Sequence, residues 1–147
     1  YLLLQNLLDI PILYLSRYII ANKQDYYLKL QDVRDFNNWE AWLMFMLQGV
    51  EETSYQTIDK VKQIKKAMQE MKALLRENYK FYSHDLINHL FRQPYTKIEF
   101  LKEELHISRV TAASYLNTLA DDGVLIKMKQ GKFNYYINYR LVELFTN

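Results

Sequence analysis

The chain has 147 residues, half of them hydrophobic, which is enough for one domain or two small ones with a buried core. It contains no cysteine, which excludes disulfides, zinc fingers and a cysteine nucleophile. The net charge of +2 is weak evidence for a nucleic-acid partner. No apolar run is long enough to cross a bilayer, and the apolar start lacks a basic leader and a cleavage site. We therefore expect a cytoplasmic protein without a membrane partner, cut from a longer chain because it begins without methionine.

Apolar residues at helical spacing predict four helices in the first part of the chain. Residues 1–8 are expected to be the end of a buried helix. A short helix should follow around Pro11, because a proline is well tolerated in a first turn. Another helix is predicted over residues 24–36. Residues 39–52 carry so many large apolar side chains that we expect their helix to be deeply buried.

Residues 55–78 predict a long helix with a narrow apolar seam and many lysines around it. The seam residues recur at spacings of three and four: Val61, Ile64, Met68, Met71 and Leu75. Such a seam fits a connecting helix that packs on its own domain, with a solvated lysine face. It also fits self-association, and we expect a possible homodimer through residues 57–79. Binding of acidic partners by the lysines is a third, weaker interpretation.

The remainder predicts three helices, a β-hairpin and a closing helix. Their ranges are residues 82–92, 97–105, 108–120, 124–129, 133–138 and 139–145. Ser83 and Ser108 are suited to cap their helices, and Gly123 is suited to a left-handed helix stop. Gly131 lies in the predicted hairpin turn. This order resembles a winged helix-turn-helix, a module that places its second helix in the DNA major groove.

The helix after Ser108 is therefore the best candidate for a DNA-reading helix. Arg109 could pair with guanine or phosphate, and Asn117 with adenine. Phosphates could be bound by Thr111 and Ser114 from the helix, and by Lys127, Lys129 and Lys132 from the hairpin. Against this, a helix face with one charge is a weak reader. Weak nucleic-acid binding, a protein contact and a purely structural role remain as alternatives.

Several segments together resemble the helices that follow the catalytic loop in Fic-domain proteins. They are PILYLSRYI, DYY and WEAW in the first part, and FRQPYTKIEFL and YYIN near the end. The closest subgroup is bacterial and carries a C-terminal winged helix. The resemblance implies a mainly α fold with three parts. These are a helical remnant of a Fic domain over residues 1–56, a linking helix over residues 57–79, and a winged helix with a small β-hairpin over residues 80–147.

Fic proteins of this kind transfer AMP from ATP, with magnesium, to a hydroxyl of a target protein. Their signature loop has the form H-x-F-x-[D/E]-G-N-G-R-x-x-R, and this sequence does not contain it. The three histidines, His84, His89 and His106, match no part of it, and we expect ordinary surface or partly buried histidines. The resemblance thus implies a chain without catalytic residues, metal ligands or cofactors of its own. ATP and Mg²⁺ are implied only for the intact family.

One family position has a match in this sequence. Tyr26 and Tyr27 correspond to the tyrosine pair that lines the nucleotide pocket of Fic proteins, where a ring can stack on a base. Simple packing is the alternative role for both. We therefore expect the non-catalytic C-terminal portion of a protein adenylyltransferase, whose winged helix serves interaction or positioning toward the target protein of the parent enzyme. The alternative is a DNA-binding module that regulates or localises the parent.

Overall fold

The computed structural model describes residues 4–8 and 13–146. Within these ranges the chain is mainly helical with one small antiparallel sheet, which confirms the predicted class. The elements are α1 (Ser16–Ala21), α2 (Lys23–Phe36), α3 (Trp39–Asn78), α4 (His84–Arg92), β1 (Tyr95–Thr96), α5 (Ile98–Leu105), α6 (Arg109–Asp121), β2 (Ile126–Gln130), β3 (Phe133–Ile137) and α7 (Tyr139–Thr146). None of these helices is both long enough and apolar enough to cross a membrane. The chain divides into two compact units, Tyr1–Val61 and Lys62–Asn147.

The core of the first unit is a cluster of aromatic rings. Tyr18 on α1 and Phe45 on α3 are buried, with ring centroids 5.1 Å apart. Tyr26 on α2 places its ring 5.0 Å from that of Trp42. Gly49 permits this packing, because an added Cβ would lie only 2.6 Å from Cδ1 of Tyr18. A side chain at position 49 is therefore incompatible with the contact between α1 and α3.

The prediction of a helix over residues 1–8 is wrong for the residues that the structure describes. Residues 4–8 form turns and a bend, and both Leu4 and Leu7 are exposed. Residues 1–3 and Pro11 lie outside the described ranges. The short predicted helix is present, beginning at Ser16 as α1.

The expectation of deep burial for residues 39–52 is also wrong. Trp39 is 52% exposed and Leu43 54% exposed, and Met44 and Leu47 are exposed as well. The reason is that this helix is apolar on several faces, whereas the described parts of α1 and α2 cover only the face that carries Phe45. Apolar composition predicts burial only where another element is present to cover it.

Residues 39–78 form a single continuous helix rather than two helices that meet near Tyr55. The hydroxyls of Ser54 and Thr57 donate to the carbonyl oxygens of Val50 and Thr53, at 2.6 and 2.7 Å. These side chains bond within the helix and so do not interrupt it. The polar residues around Tyr55 change the chemical character of the helix surface but do not end the helix.

The apolar seam of α3 is buried at its C-terminal end and exposed at its N-terminal end. Met71 and Leu75 are buried in the core of the second unit, and Met68 packs against that core. Val61, by contrast, is 56% exposed. From Met68 onward the seam thus belongs to the chain's own core, as expected of a connecting helix. A homodimer through residues 57–79 stays a prediction.

The core of the second unit joins α3, three further helices and the sheet. One apolar face of each of α4, α5 and α6 packs there, through the buried residues Leu86, Ile87, Leu90, Leu101, Ala112, Leu116 and Leu119. Both predicted caps are confirmed, since Ser83 Oγ accepts from the Leu86 amide and Ser108 Oγ from the Thr111 amide, each at 3.0 Å. Gly123 has a φ of 75°, the left-handed conformation predicted for the stop after α6.

The hairpin is confirmed with shifted ends, and one strand was missed. The order of strands is β1-β3-β2, with Tyr95 paired to Ile137 and Lys127 paired to Tyr136. The strand β1 has only two residues, too few for any periodicity to show in the sequence. Alternation along the strands puts Tyr136 into the core, while β2 is exposed along its whole length.

Candidate functional site

The predicted reader Asn117 is engaged by its own module. Lys127 Nζ and Tyr136 Oη both donate to Asn117 Oδ1, each at 2.8 Å. Burial raises the pKa of the Tyr136 phenol, with the Asp121 charge contributing in the same direction, so this hydroxyl keeps its proton. An amide oxygen has two lone pairs, and these two bonds fill them. Reading adenine would require that same oxygen to accept from the base.

The first turn of α6 is partly occupied as well. Arg109 Nε lies 3.2 Å from Glu99 Oε1, an exposed ion pair across to α5. The Thr111 and Ser108 hydroxyls lie 2.8 Å apart, within the cap of the helix. Glu99 thus places a carboxylate beside the one cation of the predicted reading face. A phosphate approaching Arg109 would meet that negative charge.

The other predicted DNA contacts are accessible but dispersed. Ser114 is exposed on α6, Lys129 on β2, and Lys132 in the turn between β2 and β3. Of the seven predicted contacts, the structure joins Asn117 and Lys127 directly by a hydrogen bond. This bond uses one of the three N–H groups of Lys127, whereas the bonds from Lys127 and Tyr136 together occupy both lone pairs of Asn117 Oδ1.

An aromatic surface on the outer face of the sheet was not predicted. Lys97 Nζ lies 4.5 Å from the ring centroid of Tyr135, 5.0 Å from that of Phe133 and 5.4 Å from that of Phe100. The Tyr95 ring packs 5.7 Å from Tyr135. The aromatic residues two positions apart at the start of FNYYIN, Phe133 and Tyr135, are the sequence signal that could have indicated it. A cation held over ring faces in this way is typical of cation–π contacts.

A buried histidine was also missed. His89 is 9% exposed, and its Nε2 lies 2.6 Å from Oγ1 of the buried Thr96. Burial lowers the pKa of the imidazole, the nearby Glu104 charge opposes that effect, and Arg92 adds to it. His89 follows Leu86 by three residues on the apolar face of α4, a spacing that indicates burial. The expectation of an ordinary surface or partly buried histidine is therefore wrong for His89.

The two candidate nucleotide-binding tyrosines lie in the first unit. The Tyr26 ring is half-buried among Trp42 and Phe45, at 5.0 and 6.3 Å between centroids. Tyr27 is 57% exposed and meets Tyr26 edge-on at 5.4 Å. Tyr26 thus packs within the aromatic cluster of the first unit, while Tyr27 presents ring surface to solvent, and nucleotide binding by the two stays a prediction. No group of three His, Asp or Glu side chains within residues 4–8 and 13–146 is placed to hold a metal ion.

A family comparison supplies the chain's relationship to known proteins. The family described as protein adenylyltransferase SoFic-like, C-terminal domain, matches residues 64–141. This range begins inside α3, includes all of the sheet and ends in α7. It covers more than half of the chain, and it contains His89, Asn117 and the hairpin lysines. The chain belongs to the family of SoFic-like protein adenylyltransferase C-terminal domains.

Proposed function

We propose that this chain is the non-catalytic C-terminal portion of a bacterial Fic-family protein adenylyltransferase. Its second unit would be a winged helix that serves protein interaction or positioning. The family match supports the origin of the chain in a Fic-family protein adenylyltransferase. The order of elements from α4 to β3, with α5 and α6 joined by a short turn at His106 and followed by a hairpin, supports the winged helix.

The engagement of Asn117 is the observation that favours protein interaction over DNA reading. Its amide oxygen is filled by Lys127 and Tyr136, and Arg109 is paired with Glu99. The sheet meanwhile exposes large apolar side chains, among them Met128 and Phe133. Aromatic residues and methionine are enriched in protein–protein interfaces.

The exposed apolar side chains of the first unit support an interaction role for that unit too. Tyr27 and Leu28 on α2 and Trp39, Leu43 and Leu47 on α3 are all more than half exposed. Trp39, Leu43 and Leu47 recur every four residues and so share one face of α3, and an exposed apolar face of this kind is typical of an interaction site. In the proposed parent enzyme these helices pack against the part that carries the catalytic loop, and Tyr26 and Tyr27 approach the nucleotide.

The described residues do not by themselves fit ATP and Mg²⁺. Tyr27 offers a ring for stacking, but no cluster of metal ligands is present in the described ranges. Phosphate cradling needs backbone amides in a glycine-rich turn, and the chain has only three glycines. No step through ATP is therefore assigned to this chain. Incubation of the chain with labelled ATP and a cell lysate should transfer no AMP to protein, and transfer by the chain alone would contradict the proposal.

DNA binding is the second candidate, supported by the exposed Lys129 and Lys132 on the hairpin. Fluorescence anisotropy with a labelled mixed-sequence duplex, at low and at physiological salt, separates the two. We expect only weak binding that disappears as salt rises, since it would come from phosphate contacts alone. Glu99→Gln should strengthen that weak binding, because it removes the carboxylate beside Arg109. Saturable binding at physiological salt that Asn117→Ala abolishes would favour the DNA-binding function instead.

A further inference from the structure

The strand β2 has a free edge on the side away from β3. It is the outermost strand in the order β1-β3-β2, and in the part of the chain that the structure describes no other strand pairs with that side. All five of its residues are exposed. Backbone amides and carbonyls at such an edge can pair with an extended segment of another protein, which then becomes an added strand of the sheet.

The turn of the hairpin determines which residues offer these backbone groups. Gln130 is paired with Phe133 across a two-residue turn, and the pair that closes such a turn exchanges its hydrogen bonds within the hairpin. Successive residues of an antiparallel strand direct their backbone groups to opposite sides. The backbone amides and carbonyls of Lys127 and Lys129 therefore point to the free edge.

The side chains of these two lysines lie on one face of the sheet. Lys127 is paired with the buried Tyr136, and its Nζ donates to Asn117 on α6 at 2.8 Å. Alternation places Lys129 on the same face. The bond to Asn117 leaves two N–H groups of Lys127 for another acceptor. Neither lysine forms an ion pair with a carboxylate of the described residues, so the edge carries two cations without ionic partners.

The other face of β2 is apolar. Ile126 and Met128 are both nearly half exposed, and Met128 lies opposite Tyr135. Positive and apolar side chains thus alternate along the edge. Cross-strand neighbours of opposite charge stabilise a sheet, and so do apolar neighbours. The complementary strand has carboxylates on one face and aliphatic side chains on the other.

We propose that β2 binds an extended segment of a partner protein in which acidic and aliphatic residues alternate. The segment adds to the sheet as an antiparallel strand, the orientation of both existing strand pairs. Its carboxylates lie opposite Lys127 and Lys129, and its aliphatic side chains lie beside Ile126 and Met128. This inference rests on the proposed interaction function and specifies the chemistry of the partner.

The test of the backbone pairing is an NMR titration of the full chain with the peptide acetyl-Val-Glu-Val-Glu-Val-amide, which matches the length of β2. We expect shifts of the backbone amides of Lys127 and Lys129. In the antiparallel register the amides of the two glutamates bond to this edge and those of the valines point away from it. N-methylation of both glutamate amides should therefore abolish the shifts, whereas N-methylation of the second and third valines should preserve them.

The charge pairing is tested by matched substitutions. A peptide with glutamine in place of both glutamates should bind more weakly. Lys129→Gln should weaken binding of the original peptide roughly two- to fivefold, the loss expected for an exposed ion pair. Lys102→Gln, the same charge change on α5 outside the sheet, should leave the affinity nearly unchanged.

The outcomes separate this inference from the proposed function. Absence of shifts at β2, equal effects of the two methylation patterns, or equal affinity of the glutamine peptide would each overturn the added strand. A doubled mass without peptide, measured by light scattering and lost in Lys129→Pro, would place another molecule of the chain at this edge and also overturn it. None of these results bears on the DNA titration, which decides the proposed function independently.

Discussion

Asn117 shows how the partners of one side chain bear on function. An asparagine exposed on the second helix of a winged helix is a natural candidate to read adenine. Here two donors, from Lys127 and Tyr136, converge on its amide oxygen at the same distance of 2.8 Å. The side chain thereby ties the hairpin to α6. Its chemical type suggests recognition, whereas in the structure its amide oxygen is bonded within the module, and a role in reading DNA stays a prediction.

Gly49 is a second residue whose surroundings decide its role. Gly49→Ala should destabilise the first unit by about 1–3 kcal/mol, because the added Cβ overlaps the Tyr18 ring. The better helix propensity of alanine offsets at most about 1 kcal/mol of this. Urea unfolding followed by tryptophan fluorescence measures the change. Gln48→Ala, on an exposed neighbouring position of α3, is the control and should leave the midpoint nearly unchanged.

His89 should make the stability of the second unit depend on pH. Its folded pKa lies below the unfolded value of 6.5, so the unfolded chain binds more protons as the pH falls through that value. Stability is therefore full above about pH 6.5 and declines below it until the folded pKa is passed. Urea unfolding by circular dichroism at about pH 7.5 and about pH 5.5 measures the difference.

The histidine variants separate this effect from other titrations. In His89→Gln, whose side chain cannot be protonated, the change in stability between the two pH values should be smaller than in the original chain. His84→Gln, at an exposed position of α4, should retain the full change. An equal pH dependence in all three proteins would contradict the assignment to His89.

At the scale of elements, the sequence predicts best where one face of a helix meets a single core. The helices α4, α5 and α6 and both serine caps were predicted because helical periodicity and capping depend on residues only a few positions apart. The strand β1 was not, since two residues show no alternation. The continuity of α3 past Tyr55 was missed because Ser54 and Thr57 are poor helix formers in isolation, yet here they bond to the helix backbone.

The candidate site was harder to predict than the elements. The partners of Asn117 lie 10 and 19 residues further along the chain, and Thr96 lies 7 residues after His89. Such contacts depend on the packing of the sheet against α6 and of β1 against α4, which no local pattern encodes. Residue type predicted which side chains could bind a ligand. The tertiary structure decided which of them already hydrogen-bond to other residues of the chain.

The uneven seam of α3 leads to a test along a single helix. Leu75→Ala should destabilise the second unit by about 2–5 kcal/mol, because it leaves a cavity in a fully buried position. Val61→Ala should change stability by less than about 0.5 kcal/mol, because that side chain is exposed. Thermal unfolding by circular dichroism gives both values, and light scattering reports the mass. A large loss with Val61→Ala, together with a dimer mass, would instead indicate self-association through this helix.

At the scale of the whole molecule, the two units bury very different amounts of apolar surface. Among the described residues, the buried hydrophobic side chains of the first unit are Tyr18 and Phe45, whereas the second unit has a core of eleven buried residues. A core that small gives little stability. The structure thus combines a well-packed unit with one whose apolar surface is largely exposed.

We expect the two units to unfold in separate transitions in urea. Both tryptophans, Trp39 and Trp42, lie in the first unit, so their fluorescence reports on it alone. Its midpoint should come at a lower urea concentration than the midpoint of the main circular dichroism transition, because it buries less apolar surface. Coincident transitions would show that the chain unfolds as one cooperative body.

The strand β2 is an edge strand of the sheet, which has a consequence for concentrated protein solutions. Among residues 4–8 and 13–146, no strand pairs with the outer side of β2, so its amides and carbonyls could template pairing with another copy of the chain. Lys127 and Lys129 would then meet the like charges of that second copy, which opposes growth of an intermolecular sheet. We therefore expect the lysines of the hairpin to oppose aggregation in concentrated solution, independently of any nucleic-acid binding.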